Sequence, residues 1–382
     1  MNKHLQTISQ LSNKPERSIL GLMSGTSLDG LDIALCRFSD SGLKVTHFDT
    51  AEYTEAFRER LAAIRSKEMV QLAEVCLLNR EIADLYATFI AQRLEKWGVP
   101  AGEIDLIASH GQTIYHLPDG SSSSTLQIGD GDNLAVRTGI PVLSNFRQKH
   151  VAAGGEGAPL AALMDERLFR HPEKNRMLLN LGGIANFTWI PSKNEGGEIL
   201  TSDTGPANTL INEACEKYFN LPFDEDGKIA FGGMVHSELL KYLLLEPYFR
   251  KPLPKTTGQE EFNLDLVEAL MKGYQIELKP EDLVATLTKL TVKSIERAFD
   301  QFVGEREYEL FVSGGGLHNP VIMNGLEENL PLATFNQFED LGMDPDAKEA
   351  ALMAYLANEW ITGNAFTVNG VKVNLGSLSL PE

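Results

Sequence analysis

The residues best equipped for chemistry in this chain are one carboxylate and three glycine turns. Asp203 stands in Asp203-Thr204-Gly205-Pro206-Ala207-Asn208, directly after the apolar run of EILTSD. A carboxylate at a strand end that faces a cleft can act as general base toward a hydroxyl or a water. Phosphoryl transfer needs that role filled, to orient and deprotonate the nucleophile. The same residue also reads as an Asx turn or N-cap opening the helix TLINEACEKYF.

The first turn is Ser24-Gly25-Thr26-Ser27-Leu28-Asp29-Gly30. Interleaved glycines and hydroxyls let backbone N–H groups point at one spot, which is how turns bind phosphate oxygens. Asp29 and Asp32 could hold Mg²⁺ through its waters. The turn is not a Walker A loop, because GxxxxGK[ST] is absent and a strand follows. It also reads as a plain hairpin with Asp29-Gly30 at its tip. Asn180-Leu181-Gly182-Gly183-Ile184-Ala185-Asn186 is a second such turn, able to hold the same polyphosphate from the other side. Gly314-Gly315-Gly316 lies between a strand and a helix, where absent side chains let a nucleotide base or α-phosphate come close. Each turn alone is weak; three at matching places in two halves of one chain reinforce one another.

The basic and imidazole groups are fewer. His110 and His116 flank Gly111-Gln112-Thr113, a separation that does not suit metal ligation. His110 at a strand end reads as a ligand contact or as a half-buried histidine. Phe146-Arg147-Gln148-Lys149-His150, with Arg137 upstream, is the most basic stretch of an acidic chain and could pair with a carboxylate or phosphate. Gly154-Gly155-Glu156-Gly157-Ala158-Pro159 reads as a hinge or substrate loop. Glu349 opens a late helix expected to pack against the Gly314–Gly316 segment; it either reaches the cleft or is a solvated helix-start carboxylate.

These groups need elements to carry them. Residues 1–17 are polar and read as a frayed extension. SILGLM, the first turn and the alternating LDIALCRF read as strand, turn, strand. Residues 54–97 show helical spacing in AFRERLAAI and then in VQLAEVCLLNREIADLYATFIAQRLEKW, the latter stopped by Gly98 and Pro100. IDLIAS is a buried strand ending at His110. Ser121–Ser124 is a short loop. The second half repeats the layout: MLLNLGGIANFTWI, then EILTSD, the long amphipathic DLVATLTKLTVKSIERAFDQF, and YELFVSGGGLHNPVIMNGLEENL. Two α/β halves of similar order follow, an internal duplication with its boundary near residues 150–160.

Composition bounds the rest. The chain has 382 residues, 43% hydrophobic and 23% charged, with a net charge of −19. That is a globular composition. Its acidity argues against nucleic-acid or anionic-membrane binding, which needs clustered Lys and Arg. Cys36, Cys76 and Cys215 form no CxxC pair, so neither a disulfide framework nor a zinc site is expected, and a reducing compartment fits. The amino terminus has no apolar h-region and no run approaches a membrane span, so a cytoplasmic protein is expected.

GLMSGTSLDGLDIAL, SHGQTIYH, LQIGDGDNLAVRTGIPV, GGEGAPL, LNLGGIANFT, SDTGPAN, TTGQEEFN and VSGGGLHNP, in that order, resemble the anhydro-N-acetylmuramic acid kinases. The resemblance runs from about residue 18 to about 375, and MSGTSLDG joined to DTGPxN is highly specific. It implies membership of the actin–sugar kinase–heat-shock chaperone superfamily. The implied fold is α/β: two RNase-H-like (actin-like ATPase) domains, each a mixed five-stranded sheet flanked by helices, around a central ATP cleft. On that basis 1–17 is a leader, 18–155 the first domain and 156–382 the second, with the C-terminal tail returning to the first.

The implied activity is MgATP-dependent conversion of 1,6-anhydro-N-acetylmuramic acid to N-acetylmuramate 6-phosphate, in recycling of peptidoglycan sugars. Asp203 would activate water against the anomeric carbon. Gly25, Thr26, Ser27, Leu28, Asp29, Gly30, Leu31 and Asp32 would form the first phosphate segment, with Asp29 near the Mg²⁺ ion. Gly182 and Gly183 would form the second phosphate turn, and Gly314, Gly315 and Gly316 would lie at the adenosine. Asp29, His110, Arg147, Gly205, Asn208 and Glu349 would contact the sugar, Arg147 at its lactyl carboxylate. A homodimer is implied. Two positions depart from the family pattern: Ala207 where Gly is common, and Asn145 where Asp precedes Phe-Arg. Two other readings stay within the same fold. One is a kinase of another amino sugar, with Asp203 deprotonating the alcohol itself; the other is an actin- or chaperone-like ATPase.

Overall fold

The computed structural model describes residues 2–381, apart from Thr26, Ser27, Asp119, Pro159, Gln259, Glu260 and the side chains of Ser121 and Ala162. Among the described residues the strands are, in chain order, β1 (Arg17–Ser24), β2 (Gly30–Ser39), β3 (Gly42–Glu52), β4 (Leu106–Leu117), β5 (Ser124–Ile128), β6 (Val142–Ser144), β7 (Asn175–Leu181), β8 (Ile184–Ile190), β9 (Leu200–Pro206), β10 (Tyr308–Ser313), β11 (Ala333–Asn336), β12 (Phe366–Val368), β13 (Val371–Val373) and β14 (Ser377–Ser379). They fall into two compact units, one of Met1–Met164 with Gly342–Glu382 and one of Asp165–Leu341.

The first unit is built on a sheet in the order β14-β6-β4-β1-β2-β3, with β5 beside β4. β1–β2 and β2–β3 are antiparallel, while β4 and β6 run parallel to β1. β1 is apolar along most of its length because both of its faces are covered. Leu20 and Leu22 join a core with Leu78, Ile82 and Tyr86 of the helix Leu72–Trp97. On the other face lies the helix Lys348–Thr362. A Cβ at Gly21 would run into the carbonyl of Ala350, so the two backbones meet only because that residue is glycine. The late helix therefore packs on β1, β2 and β4 of the first sheet.

One local expectation is corrected. Residues Lys3–Asn13 form a helix: Asn2 Oδ1 accepts from the His4 amide at 2.9 Å, and Leu11 is buried. The region 54–97 is two helices, Glu55–Ile64 and Leu72–Trp97, matching its two expected segments AFRERLAAI and VQLAEVCLLNREIADLYATFIAQRLEKW. Ser66 breaks them with a left-handed backbone, and the Ser66 amide donates to the Ile114 carbonyl. Gly98, left-handed at φ 67°, ends the second helix as expected.

The second unit repeats the plan in the order β11-β10-β7-β8-β9. β7–β8 and β8–β9 are antiparallel, and β10 and β11 run parallel to β7. Strand for strand this is the core of the first sheet, without the added β5 and β14. The helix Pro280–Asp300 lies across it, burying Leu283, Leu287, Leu290 and Phe299. Phe187 on β8 stacks on Phe302 at 5.2 Å between ring centroids. The expected duplicated α/β fold of mixed sheets flanked by helices is what the chain adopts, except that β5 and β14 make the first sheet seven-stranded where five strands were expected.

Candidate active site

In the second unit the turn Gly182-Gly183 joins β7 to β8. Its carbonyls bind the start of the helix Asn208–Phe219. Gly183 O accepts from the Ala207 and Thr209 amides at 2.8 and 3.1 Å, and Gly182 O accepts from the Asn208 amide at 3.1 Å. The Asn208 side-chain amide adds bonds of 2.9 Å to the carbonyls of Leu181 and Gly182. A trans peptide points its N–H opposite its C=O. The Gly183 N–H is thus turned away from the helix, toward the face where an anion could sit. A Cβ on Gly183 would stand 2.6 Å from Thr209 Oγ1, which explains glycine there.

Gly314 and Gly316 press on the end of β7. A Cβ on Gly314 would meet Asn180 Oδ1 at 2.6 Å, and one on Gly316 would meet Leu181 Cβ at 2.6 Å. Gly315 is uncrowded and opens onto a cavity of ≈ 340 Å³ lined by Asn208, Asn212, Phe223, His318 and Asn319. The outer glycines thus let the strand ends close up, while the middle one borders open space.

Asp203 lies in β9 beside a register shift, since Ala185 pairs with Gly205 but Asn186 with Asp203. The extra residue, Thr204, re-aims the strand. On the free edge of β9 runs Lys255–Thr257. The Asp203 amide donates to Lys255 O at 2.9 Å, and the Lys255 amide donates to Ser202 Oγ at 2.9 Å. The Thr257 amide donates to Asp203 Oδ2 at 2.9 Å. No described residue donates to Oδ1. Burial raises the Asp203 pKa above its ordinary 3.8, against the lowering effect of the Thr257 amide. Gly205 is wedged against Phe249, whose ring a Cβ would approach to 2.9 Å. Lys255 is itself buried, its ammonium 4.3 Å from the Tyr248 ring centroid.

In the first unit the β1–β2 hairpin carries Gly25, Leu28, Asp29, Gly30, Leu31 and Asp32; Thr26 and Ser27 lie outside the described residues. Leu28 and Leu31 send their side chains into the core, so only their main-chain groups could meet a ligand. A buried polar chain grips both hairpin stems. Ser24 Oγ lies 3.0 Å from Gly30 O, 2.9 Å from Tyr53 Oη and 2.6 Å from Gln112 Oε1. Gln112 Nε2 donates to Gly25 O at 3.1 Å. Neither Ser24 nor Gln112 stood out as functional in the sequence; the motif SHGQT held the second, but its partner lies 88 residues away.

Asp32 takes a 2.6 Å hydrogen bond from Thr50 Oγ1, yet its pKa is pushed up to about 6. Burial is the main cause, helped by the charges of Asp29, Glu349 and Asp346. Among the described residues no three potential ligands converge to hold a metal directly. Crowded, partly exposed carboxylates of this kind suit a divalent cation held through its waters. Glu349 is exposed in the first turn of its helix.

Arg147, half-buried in the helix Phe146–Ala152, makes no ion pair with any described carboxylate. Its Nε donates to His110 Nε2 at 2.7 Å and its Nη1 to Gly157 O at 3.2 Å. His110 is buried, with Nδ1 2.9 Å from Gly111 O. Both ring nitrogens are engaged, so the ring has none left for a ligand. Asn145 adopts a left-handed backbone, φ 61°, just before this helix, a conformation that Asn and Asp both tolerate.

Two units of one strand order, each with a glycine hairpin between its first two strands, define the class: a duplicated α/β protein built on two mixed sheets. The sequence model described as anhydro-N-acetylmuramic acid kinase matches residues 17–378, and the chain belongs to that family. A relative of that name from Pseudoalteromonas atlantica is 42% identical, covering 100% of both chains. Another from Pseudoalteromonas translucida is 40% identical over 95% of this chain and 94% of its own. One from Salinibacter ruber is 38% identical over 99% of this chain and 100% of its own. Among solved structures, the activator of the 2-hydroxyisocaproyl-CoA dehydratase from Clostridium difficile, with bound ADPNP, aligns at 12% identity and a TM-score of 0.45. That alignment covers 91% of this chain and 96% of that one, a likeness too distant to bear on function.

Proposed function

We propose that this chain is an ATP-dependent kinase that opens 1,6-anhydro-N-acetylmuramic acid and phosphorylates its 6-oxygen, giving N-acetylmuramate 6-phosphate and ADP in the recycling of peptidoglycan sugars. The observation that carries this reading is the end-to-end match to relatives of that name. The geometry of each unit supports it.

Asp203 is the general base. Its Oδ2 is tied down by Thr257, its Oδ1 is open, and burial makes it a better proton acceptor than a solvated aspartate. It takes a proton from a water whose oxygen bonds to the anomeric carbon. The bond from that carbon to the bridging 6-oxygen breaks. The 6-oxygen then bonds to the γ-phosphorus, and the bond from γ-phosphorus to the β,γ-bridging oxygen breaks to leave ADP. Release of bicyclic strain favours the ring opening.

The Gly182-Gly183 turn binds phosphate oxygens by main-chain N–H groups, and the cavity beside Gly315 takes the adenosine. Arg147 binds the lactyl carboxylate through the donors that His110 and Gly157 leave free. Mg²⁺, when bound with the nucleotide, neutralises charge on the β- and γ-phosphates; Asp29 and Asp32 would hold it through water. The enzyme acts in the cytoplasm as a homodimer. No described helix is long and apolar enough to cross a membrane.

The test is ADP release from MgATP with the anhydro sugar, against no sugar and against N-acetylmuramic acid. It is run in ¹⁸O-water and quenched before anomeric exchange. Turnover only with the anhydro sugar, with one heavy oxygen at the anomeric carbon, is expected. Turnover of the open sugar alone would mean an ordinary sugar kinase, and turnover without sugar an ATPase.

A further inference from the structure

We propose that His110 is a positioning residue for Arg147: it holds the guanidinium so that a substrate carboxylate can be met only by the Nη donors, and it thereby sets the preference for a carboxylate-bearing sugar. This rests on Arg147 being the carboxylate receptor.

The hydrogen bonds decide the state of the ring. Gly111 O can only accept, so His110 Nδ1 carries the proton. Nε2 then presents a lone pair, and Arg147 Nε–H, 2.7 Å away, donates to it. Protonating the ring would set N–H against N–H. Accordingly the imidazole pKa is depressed to about 3, by burial first and the Arg147 charge second. The ring thus stays a neutral acceptor throughout the physiological range.

The consequence for Arg147 follows from its five donors. Nε–H is spent on His110 and one Nη1–H on Gly157 O. The side-on approach through Nε, otherwise open to a carboxylate, is closed. What remains are donors on Nη1 and Nη2, with no carboxylate of the described residues ion-paired to them. The second clamp is equally determined. Gly157 is left-handed at φ 88°, and its amide donates to His150 Nδ1 at 2.9 Å. A side chain at Gly155 would overlap the His150 ring. The loop that offers Gly157 O is thereby tied to the helix that bears Arg147.

The experiment compares two substrates: the anhydro sugar with its lactyl ether, and the same anhydro sugar without it, read as KM or as competitive Ki. His110→Leu should raise KM for the carboxylated sugar about tenfold, the scale of one charge-assisted hydrogen bond. The carboxylate-free sugar and ATP should shift less than about twofold. His110→Gln, whose Oε1 can take the place of Nε2, should restore most of the loss. Arg147→Met should abolish the preference. If Arg147→Met leaves the preference intact, Arg147 is not the receptor and the proposal falls with that reading. If Arg147→Met abolishes it but His110→Leu leaves the preference unchanged, or affects both sugars alike, the receptor stands and the positioning role is overturned.

Discussion

The amide nitrogen of Thr257 lies 2.9 Å from Oδ2 of Asp203, a contact made across 54 residues of chain. It fixes one oxygen of the carboxylate and leaves the other to accept a proton. Asp203→Asn should therefore cut turnover at least a hundredfold, roughly the scale of general-base catalysis, with ATP affinity nearly unchanged. Calorimetric ATP titration beside steady-state assays measures both. Retention of more than about a hundredth of the rate would remove Asp203 from the base role.

Because burial raises the Asp203 pKa, the acid limb of kcat/KM should lie above the ordinary aspartate value of 3.8. The carboxylate must be ionised to take a proton, so activity falls as pH drops through the folded-state pKa. A limb at or below 3.8 in a full pH profile would assign it to another group.

Asp32 makes the clearest statement about stability. Its folded pKa, about 6, stands above its unfolded 3.8. Folding favours the protonated form, so the contribution is stabilising below 3.8 and is lost as pH rises through 6. Above that the ionised carboxylate opposes folding. Asp32→Asn should raise the melting temperature at pH 8, by the equivalent of about 1–2 kcal/mol after allowance for partial exposure. The gain should vanish by about pH 4. The same substitution should weaken Mg²⁺ stabilisation of the nucleotide complex. Thermal melts across pH, with and without MgATP, decide it; an equal gain at every pH would show that the carboxylate charge is not the cause.

Gly183→Ala should weaken ATP binding about tenfold or more, because the new methyl meets Thr209 Oγ1 at 2.6 Å. Thr209 Oγ1 is buried with no hydrogen-bond partner among the described residues, so removing it frees space without breaking a bond. Gly183→Ala with Thr209→Ala should then recover most of the affinity. A double variant no better than the single one would mean that the glycine is needed for backbone freedom rather than for space.

Gly21→Ala should destabilise the chain by about 2–4 kcal/mol or more, since the methyl would enter the Ala350 carbonyl. Urea unfolding measures it. A loss below about 0.5 kcal/mol would show that the helix Lys348–Thr362 can slide on β1.

What the amino-acid order determined by itself is what short-range backbone physics controls. The hairpins at Gly25–Asp29 and Gly182-Gly183, the helix stop at Gly98 and the alternation of β2 depend on neighbours in the chain, so their residue types announce them. The duplicated strand order was legible for the same reason, as two copies of one local pattern. Asp203 and Arg147 were legible as residue types in motifs, but what surrounds them was not. The helix at Lys3–Asn13 looked like an extension because its one buried residue, Leu11, gives no periodic signal. The seat of the Lys348–Thr362 helix on β1, the grip of Gln112 on the first hairpin, the engagement of both His110 nitrogens and the Thr257 amide on Asp203 join residues far apart in the chain. Such pairings depend on which surfaces burial brings together and which buried polar groups must then find partners. That is settled only when the whole chain packs.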